Sequence, residues 1–150
     1  MSGRENTASN RRPVLVDTSF LLPAMGVEVE QEVIRAIEHF REVEVCYIEA
    51  CMLEALWKIL RIVPPEKIER VDEGINAIIG TYKLINPPPE AYINACRLYH
   101  HGHKDYIDNL LYATSRELNI PLLTIDRAFI RFLKEKGFST DNVITPNEFP

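Results

Sequence analysis

Cysteine is scarce in this chain: Cys46, Cys51 and Cys96 are three in all, an odd number with no CxxC pair. That speaks against both a disulfide frame and a zinc site, and casts them as small buried hydrophobes in a reducing compartment. Long apolar runs are missing as well, so no transmembrane helix fits. The opening residues, 1–12, lack the apolar core of a secretory signal and carry Arg4, Arg11 and Arg12 instead. They read as a frayed N-terminal tail ahead of a single domain over 13–150, in a cytoplasmic protein. A surplus of positive charge is absent too. Seventeen bases against 22 acids leave a formal charge of −5, which argues against coating bulk nucleic acid but leaves room for a basic patch beside an acidic site. Internal repeats and low-complexity segments are also lacking.

What is present suits one compact domain. A length of 150 residues is enough to bury roughly 68–70% of the unfolded chain's surface. The 46% apolar content is ordinary for a folded protein, which excludes disorder as the dominant state.

Polar punctuation divides the chain. Pro13-Val14-Leu15-Val16 reads as a buried strand that ends at Asp17, and Asp17-Thr18-Ser19 supplies capping side chains for a short helix. Val33, Ile34, Ile37 and Phe40 recur at helical spacing, and residues 43–48 form a second strand. A helix over 49–63 carries the apolar stripe Met52, Leu56, Ile59, Leu60 and Val63. Pro64-Pro65 stops it, and the next helix presents Val71, Ile75, Ile78 and Ile79. After a break at 86–89, a helix runs to His101 and ends at Gly102. Residues 105–118 are helical again, with Ile107, Leu110, Leu111 and Leu118 inward. Residues 122–125 make a third strand ending at Asp126, residues 127–136 a last helix, and Val143-Ile144 a final edge strand. This alternation predicts an α/β fold, a three-layer α/β/α arrangement around a mainly parallel sheet of four to five strands. Ligands of such sheets sit beyond the carboxyl ends of the strands, where Asp17 and Asp126 stand.

Each acid has an ordinary explanation. Asp17 and Asp126 suit helix N-caps. Glu54 lies four residues before Lys58, the spacing of a surface ion pair. Asp108 can simply be solvated. Their joint occurrence is what points to chemistry: strand-end Asp, mid-helix Glu, mid-helix Asp, strand-end Asp, in apolar frames. Two carboxylates about 4 Å apart repel by roughly 4 kcal/mol at an effective dielectric near 20. A cluster of four needs protons or a divalent cation, and hard oxygen donors favour Mg²⁺ or Mn²⁺ over zinc.

The ordered set resembles the PIN-domain nucleases. Val14-Leu15-Val16-Asp17-Thr18-Ser19 is similar to their opening motif, Glu54 to their second acid, Asp108-Asn109-Leu110-Leu111-Tyr112-Ala113-Thr114 to the third motif, and Leu122 through Phe129, with Asp126, to the fourth. The resemblance covers nearly the whole chain, and by size and layout it is nearest the stand-alone, VapC-like toxin type. It implies a metal-dependent ribonuclease (a hydrolase) in which Asp17, Glu54, Asp108 and Asp126 bind one or two Mg²⁺ or Mn²⁺ ions and RNA is cut to a 5′-phosphate and a 3′-hydroxyl. It also implies a homodimer and, for a toxin–antitoxin pair, an antitoxin partner. The chain departs from the pattern at Ala128, where many relatives carry a further acid. Asp105, one helical turn before Asp108, is either an outer metal ligand or an N-cap.

For the substrate, Thr18, Ser19 and Thr124 offer hydroxyls to orient a carboxylate or a phosphate. Arg127, Arg131 and Lys134 on the last helix, and Lys58 and Arg61 near Glu54, are expected phosphate contacts, although a solvated charged face explains any one of them. His100, His101 and His103 fall at a helix end, which favours cationic histidine by itself. Neither zinc binding nor catalysis is expected of them. Trp57 is expected in packing, in the core or in a dimer, rather than as a base-stacking platform. Two other readings stay open. The fold is kept as a catalytically silent RNA-binding or protein-interaction module, or Asp17 is the nucleophile of a haloacid-dehalogenase-like phosphatase. Ser19 stands where the latter chemistry places a second Asp.

Overall fold

The computed structural model describes residues 10–150. Of the expected tail, residues 1–9 lie outside the described residues. Arg11 and Arg12 are tied to the domain: the Arg11 guanidinium donates to the Arg41 carbonyl at 3.1 Å, and the Glu44 amide donates to the Arg12 carbonyl at 2.8 Å.

Five strands, β1 (Pro13–Val16), β2 (Glu44–Tyr47), β3 (Lys83–Leu84), β4 (Leu122–Leu123) and β5 (Val143–Ile144), form one parallel sheet in the order β3-β2-β1-β4-β5. Six helices join and cover them: α1 (Gln31–Ile37), α2 (Glu49–Leu60), α3 (Ile68–Thr81), α4 (Pro89–His100), α5 (Tyr106–Leu118) and α6 (Arg127–Glu135). The expected three-layer architecture is therefore the observed one. The strands β1 and β4 read as continuous apolar runs because both their faces are covered; Leu15, Val16 and Leu123 are fully buried.

The order of the strands creates the crevice. From β1 the chain moves to one side through β2 and β3, then returns to lay β4 and β5 on the other. Leu15 therefore pairs with Cys46 on one flank and with Leu122 on the other. The reversal falls between β1 and β4, and the residues just past these strands face an open cleft there.

Several local expectations needed correction. Cys46 and Cys51 are buried, but Cys96 is exposed. Helix α2 ends at Leu60 and turns Cys51, Met52, Ala55 and Ile59 to the core, leaving Leu60 outside. Ile79 and Leu118 are likewise exposed, because Val71, Gly74 and Ile78 on α3 and residues 109–115 on α5 take the inner faces. Trp57 is 68% exposed and so takes no part in the monomer core. The β4 strand is two residues long rather than four, and the β3 strand was not expected at all: Lys83 and Leu84 are both exposed, so no apolar pattern marks them.

Candidate metal and catalytic site

The cleft at the reversal point holds a cavity of about 280 Å³ lined by Asp17, Thr18, Ser19, Glu54, Lys58, Asp105, Asp108, Ile125 and Asp126. Four elements contribute. Asp17 follows β1, Glu54 projects from α2, Asp108 from the first turn of α5, and Asp126 follows β4 as the N-cap of α6.

Asp17 is 6% exposed and is held at both oxygens. The Ser19 amide donates to Oδ1 at 3.0 Å. The Thr124 hydroxyl and the Ile125 amide donate to Oδ2 at 2.6 and 3.3 Å. Burial nonetheless raises its carboxyl to about 6, against the lowering effect of these donors and of Lys58. Asp108 is pushed further, to about 9, first by burial, then by the charge of Asp105, a hydrogen bond with Asp126, and the charges of Asp126 and Asp17. A carboxyl that stays protonated beside other carboxylates is one whose charged form lacks a counter-ion.

Of the hydroxyls expected to orient a carboxylate or a phosphate, those of Thr18 and Thr124 hold carboxylates. Thr18 Oγ1 donates to Glu54 Oε1 at 2.5 Å, and Thr124 accepts from the Asp126 amide at 3.0 Å while donating to Asp17. Thr124 thus links the ends of β1 and β4. Ser19 lines the cavity and anchors Asp17 through its backbone amide. Of the two roles left open for Asp105, the N-cap is the one observed. Its Oδ1 caps α5 by accepting from the Ile107 and Asp108 amides at 3.1 and 3.2 Å, and the residue also lines the cavity. Asp126 Oδ1 caps α6 through the Phe129 amide at 2.9 Å.

Arg127 and Arg131 are not brought to the acids. Arg127 makes a two-pronged contact with Glu32, both distances 2.9 Å, and with Arg131 and Lys134 it lines a separate cavity of about 440 Å³. Lys58 is the cation that does line the acidic cavity. The short i to i+4 step from Glu54 carries it there without an ion pair between the two.

A family model of the PIN domain matches residues 14–134, from β1 into α6. The chain belongs to the PIN domain family. PIN domains are nucleases, and a divalent metal is their usual cofactor. No curated protein matches the chain in sequence. Solved structures match its fold. The toxin–antitoxin complex from Klebsiella pneumoniae superposes with a TM-score of 0.61 at 17% identity, over 91% of this chain and 99% of that one. FitAcB from Neisseria gonorrhoeae gives 0.62 at 14% identity, over 91% and 99%. VapC20 from Mycobacterium tuberculosis, described as a sarcin-ricin loop cleaving toxin, gives 0.61 at 15%, over 86% and 98%. At these identities the likeness is one of fold.

The donors of this PIN domain fit a hard divalent ion. The cavity walls offer carboxylate and hydroxyl oxygens and no sulfur, and the raised carboxyls of Asp17 and Asp108 mark a deficit of positive charge. Cys51 is buried nearby but does not line the cavity, and burial, with the neighbouring acids, lifts its thiol to about 12.

One neighbour of the acids was not anticipated. A ring nitrogen of His103 and carboxylate oxygens of Asp108 and Asp126 all lie within 4.8 Å of one another. In the sequence His103 sits in a cluster of histidines at a helix end, five residues before Asp108, with nothing to separate it from His100 and His101. Its partner Asn109 gave a faint signal: an amide in an apolar helix, fully buried here.

Proposed function

We propose that this PIN domain is a metal-dependent endoribonuclease that hydrolyses RNA phosphodiester bonds, and that it acts in the cytoplasm as the toxin of a toxin–antitoxin pair. The observation that carries the reading is the gathering of Asp17, Glu54, Asp105, Asp108 and Asp126 around one open cavity at the sheet's reversal point. Asp17, Glu54, Asp108 and Asp126 would hold one or two Mg²⁺ or Mn²⁺ ions, with Asp105 as an outer ligand. A bound ion there supplies an activated water and neutralises charge developing on the phosphate.

The chain's own residues perform the positioning. Three donors fix the plane of Asp17, and Thr18 fixes Glu54, so these acids meet an incoming ligand with little rotamer freedom left to lose. Lys58 at the rim draws a phosphate toward a cavity that would otherwise repel it. Arg131 and Lys134, in the neighbouring cavity, suit the backbone of a longer RNA, while Arg127 must exchange Glu32 for phosphate to join them. Thr18, Ser19 and Thr124 serve substrate binding indirectly, through the acids they hold.

A protein partner is supported by the outer side of α2. Leu53, Trp57 and Leu60, at i, i+4 and i+7, are 52%, 68% and 67% exposed and lie opposite the core-facing side. An antitoxin or a second copy of the chain, as in a homodimer, would cover this stripe.

The decisive experiment is cleavage of a mixed RNA pool with Mn²⁺ or Mg²⁺, with EDTA and Asp17→Asn as controls. Cleavage that needs the ion and disappears in the variant supports the reading. Cleavage that persists in EDTA or in Asp17→Asn overturns it. Absence of any cleavage, with RNA still bound, favours the silent binding module.

A further inference from the structure

We propose that His103 supplies a nitrogen donor to the divalent ion held by Asp108 and Asp126, making this a mixed oxygen–nitrogen site that prefers Mn²⁺ to Mg²⁺. The inference rests on the metal-dependent reading above and adds a residue to it.

Proximity is the first support: a ring nitrogen of His103 lies within 4.8 Å of oxygens of both acids. The ring is also held in place. It packs against Phe129 and Phe132, with centroids 4.4 and 5.1 Å away, and is not among the residues that line the acidic cavity. The backbone is fixed as well, since the His103 amide donates to the Leu98 carbonyl at 3.2 Å after the left-handed turn at Gly102 (φ +119°).

Hydrogen bonding then determines which nitrogen is free. The Asn109 side-chain amide donates to the His103 carbonyl at 2.8 Å and to the Ala95 carbonyl at 3.4 Å. Its Oδ1, 2.7 Å from His103 Nδ1, must therefore be the acceptor. Nδ1 carries the hydrogen, and the lone pair of the neutral ring is left on Nε2. A metal-bound histidine usually has this arrangement, with its other nitrogen donating to a fixed oxygen. Asn109 is 0% exposed, an expensive place for an amide unless both its ends are used, and here they are. A ring serving only as an aromatic spacer would not need its tautomer fixed in this way. Imidazole is a softer donor than carboxylate and suits Mn²⁺ better than Mg²⁺.

The test is pulsed electron paramagnetic resonance on the protein loaded with Mn²⁺ alone, together with calorimetric titration of Mn²⁺ and Mg²⁺. The wild type should show the nitrogen coupling of a bound imidazole. His103→Phe, which keeps the aromatic packing, should lose that coupling and bind Mn²⁺ about tenfold more weakly, with Mg²⁺ affinity changed much less. Mn²⁺ bound without nitrogen coupling in the wild type overturns the role of His103 and leaves the carboxylate site standing. No Mn²⁺ binding at all overturns both. If the Phe variant does not fold, the wild-type spectrum alone decides.

Discussion

Raising the pH of the metal-free protein from 5 to 8 should lower its stability, the reverse of what a surface rich in ion pairs would give. The sign follows from Asp17, whose carboxyl is raised from 3.8 to about 6 in the folded chain, chiefly by burial. Between those values the folded state binds the proton and the unfolded state does not. Its contribution is therefore complete below pH 4 and is lost as pH rises through 6. The whole displacement is worth about 3 kcal/mol, of which about 1.4 kcal/mol falls between pH 5 and 8. Asp108, raised to about 9, continues the decline in the same direction. Glu32, whose carboxyl is lowered by Arg127, acts with the opposite sign but is already ionised above pH 5. For a chain of this size, 1.4 kcal/mol corresponds to a fall in Tm of about 3–6 °C, so the expected fall is at least that large. A divalent ion replaces the protons, and at a hundred times its Kd it restores about 2.7 kcal/mol. Calorimetric melting in EDTA at pH 5, 6.5 and 8, repeated with 10 mM Mg²⁺, reads both effects. A Tm that is flat or rises with pH in EDTA, or that ignores Mg²⁺ at pH 8, would refute the reasoning.

Other expected outcomes are more local. Thr124→Val removes a donor from Asp17 and the acceptor of the Asp126 amide, so urea denaturation should show a loss of about 1–3 kcal/mol. The Asp17 carboxyl should also titrate higher by nuclear magnetic resonance. Gly74→Ala places a methyl 2.5 Å from the Ala24 carbonyl oxygen and 2.6 Å from Met25 Cα. It should destabilise by about 1–3 kcal/mol despite the better helix propensity of alanine, and a more stable variant would mean that α3 does not sit this close. Trp57→Arg leaves the monomer core untouched and should change the sedimentation behaviour rather than the Tm if α2 carries the partner surface. An unchanged mass together with unchanged antitoxin binding would place that surface elsewhere.

Much of the fold was legible because covalently local patterns report it. The runs at Val14-Leu15-Val16 and Leu122-Leu123 mark strands buried on both faces, and the helices announce themselves by their period and their stops at Pro64 and Gly102. Burial of individual residues was read less well at helix ends. Leu60, Ile79 and Leu118 fit the period yet face solvent, since the period defines a stripe but not how far along it a neighbour reaches. The β3 strand left no trace, because its place comes from backbone pairing with β2 and not from its side chains.

The sequence by itself determined the order of elements and set four acids at the ends of strands or inside helices. It thereby determined that any cleft at the strand ends would be acidic. Only the tertiary structure decided that Thr124 reaches Asp17 across 107 positions, that Thr18 secures Glu54, that Arg127 turns to Glu32, and that His103 rather than its neighbours stands by Asp108. The physical reason is range. Periodicity and capping act over a few residues, whereas these contacts depend on which strands lie side by side, and the reversal between β1 and β4 is a property of the assembled sheet.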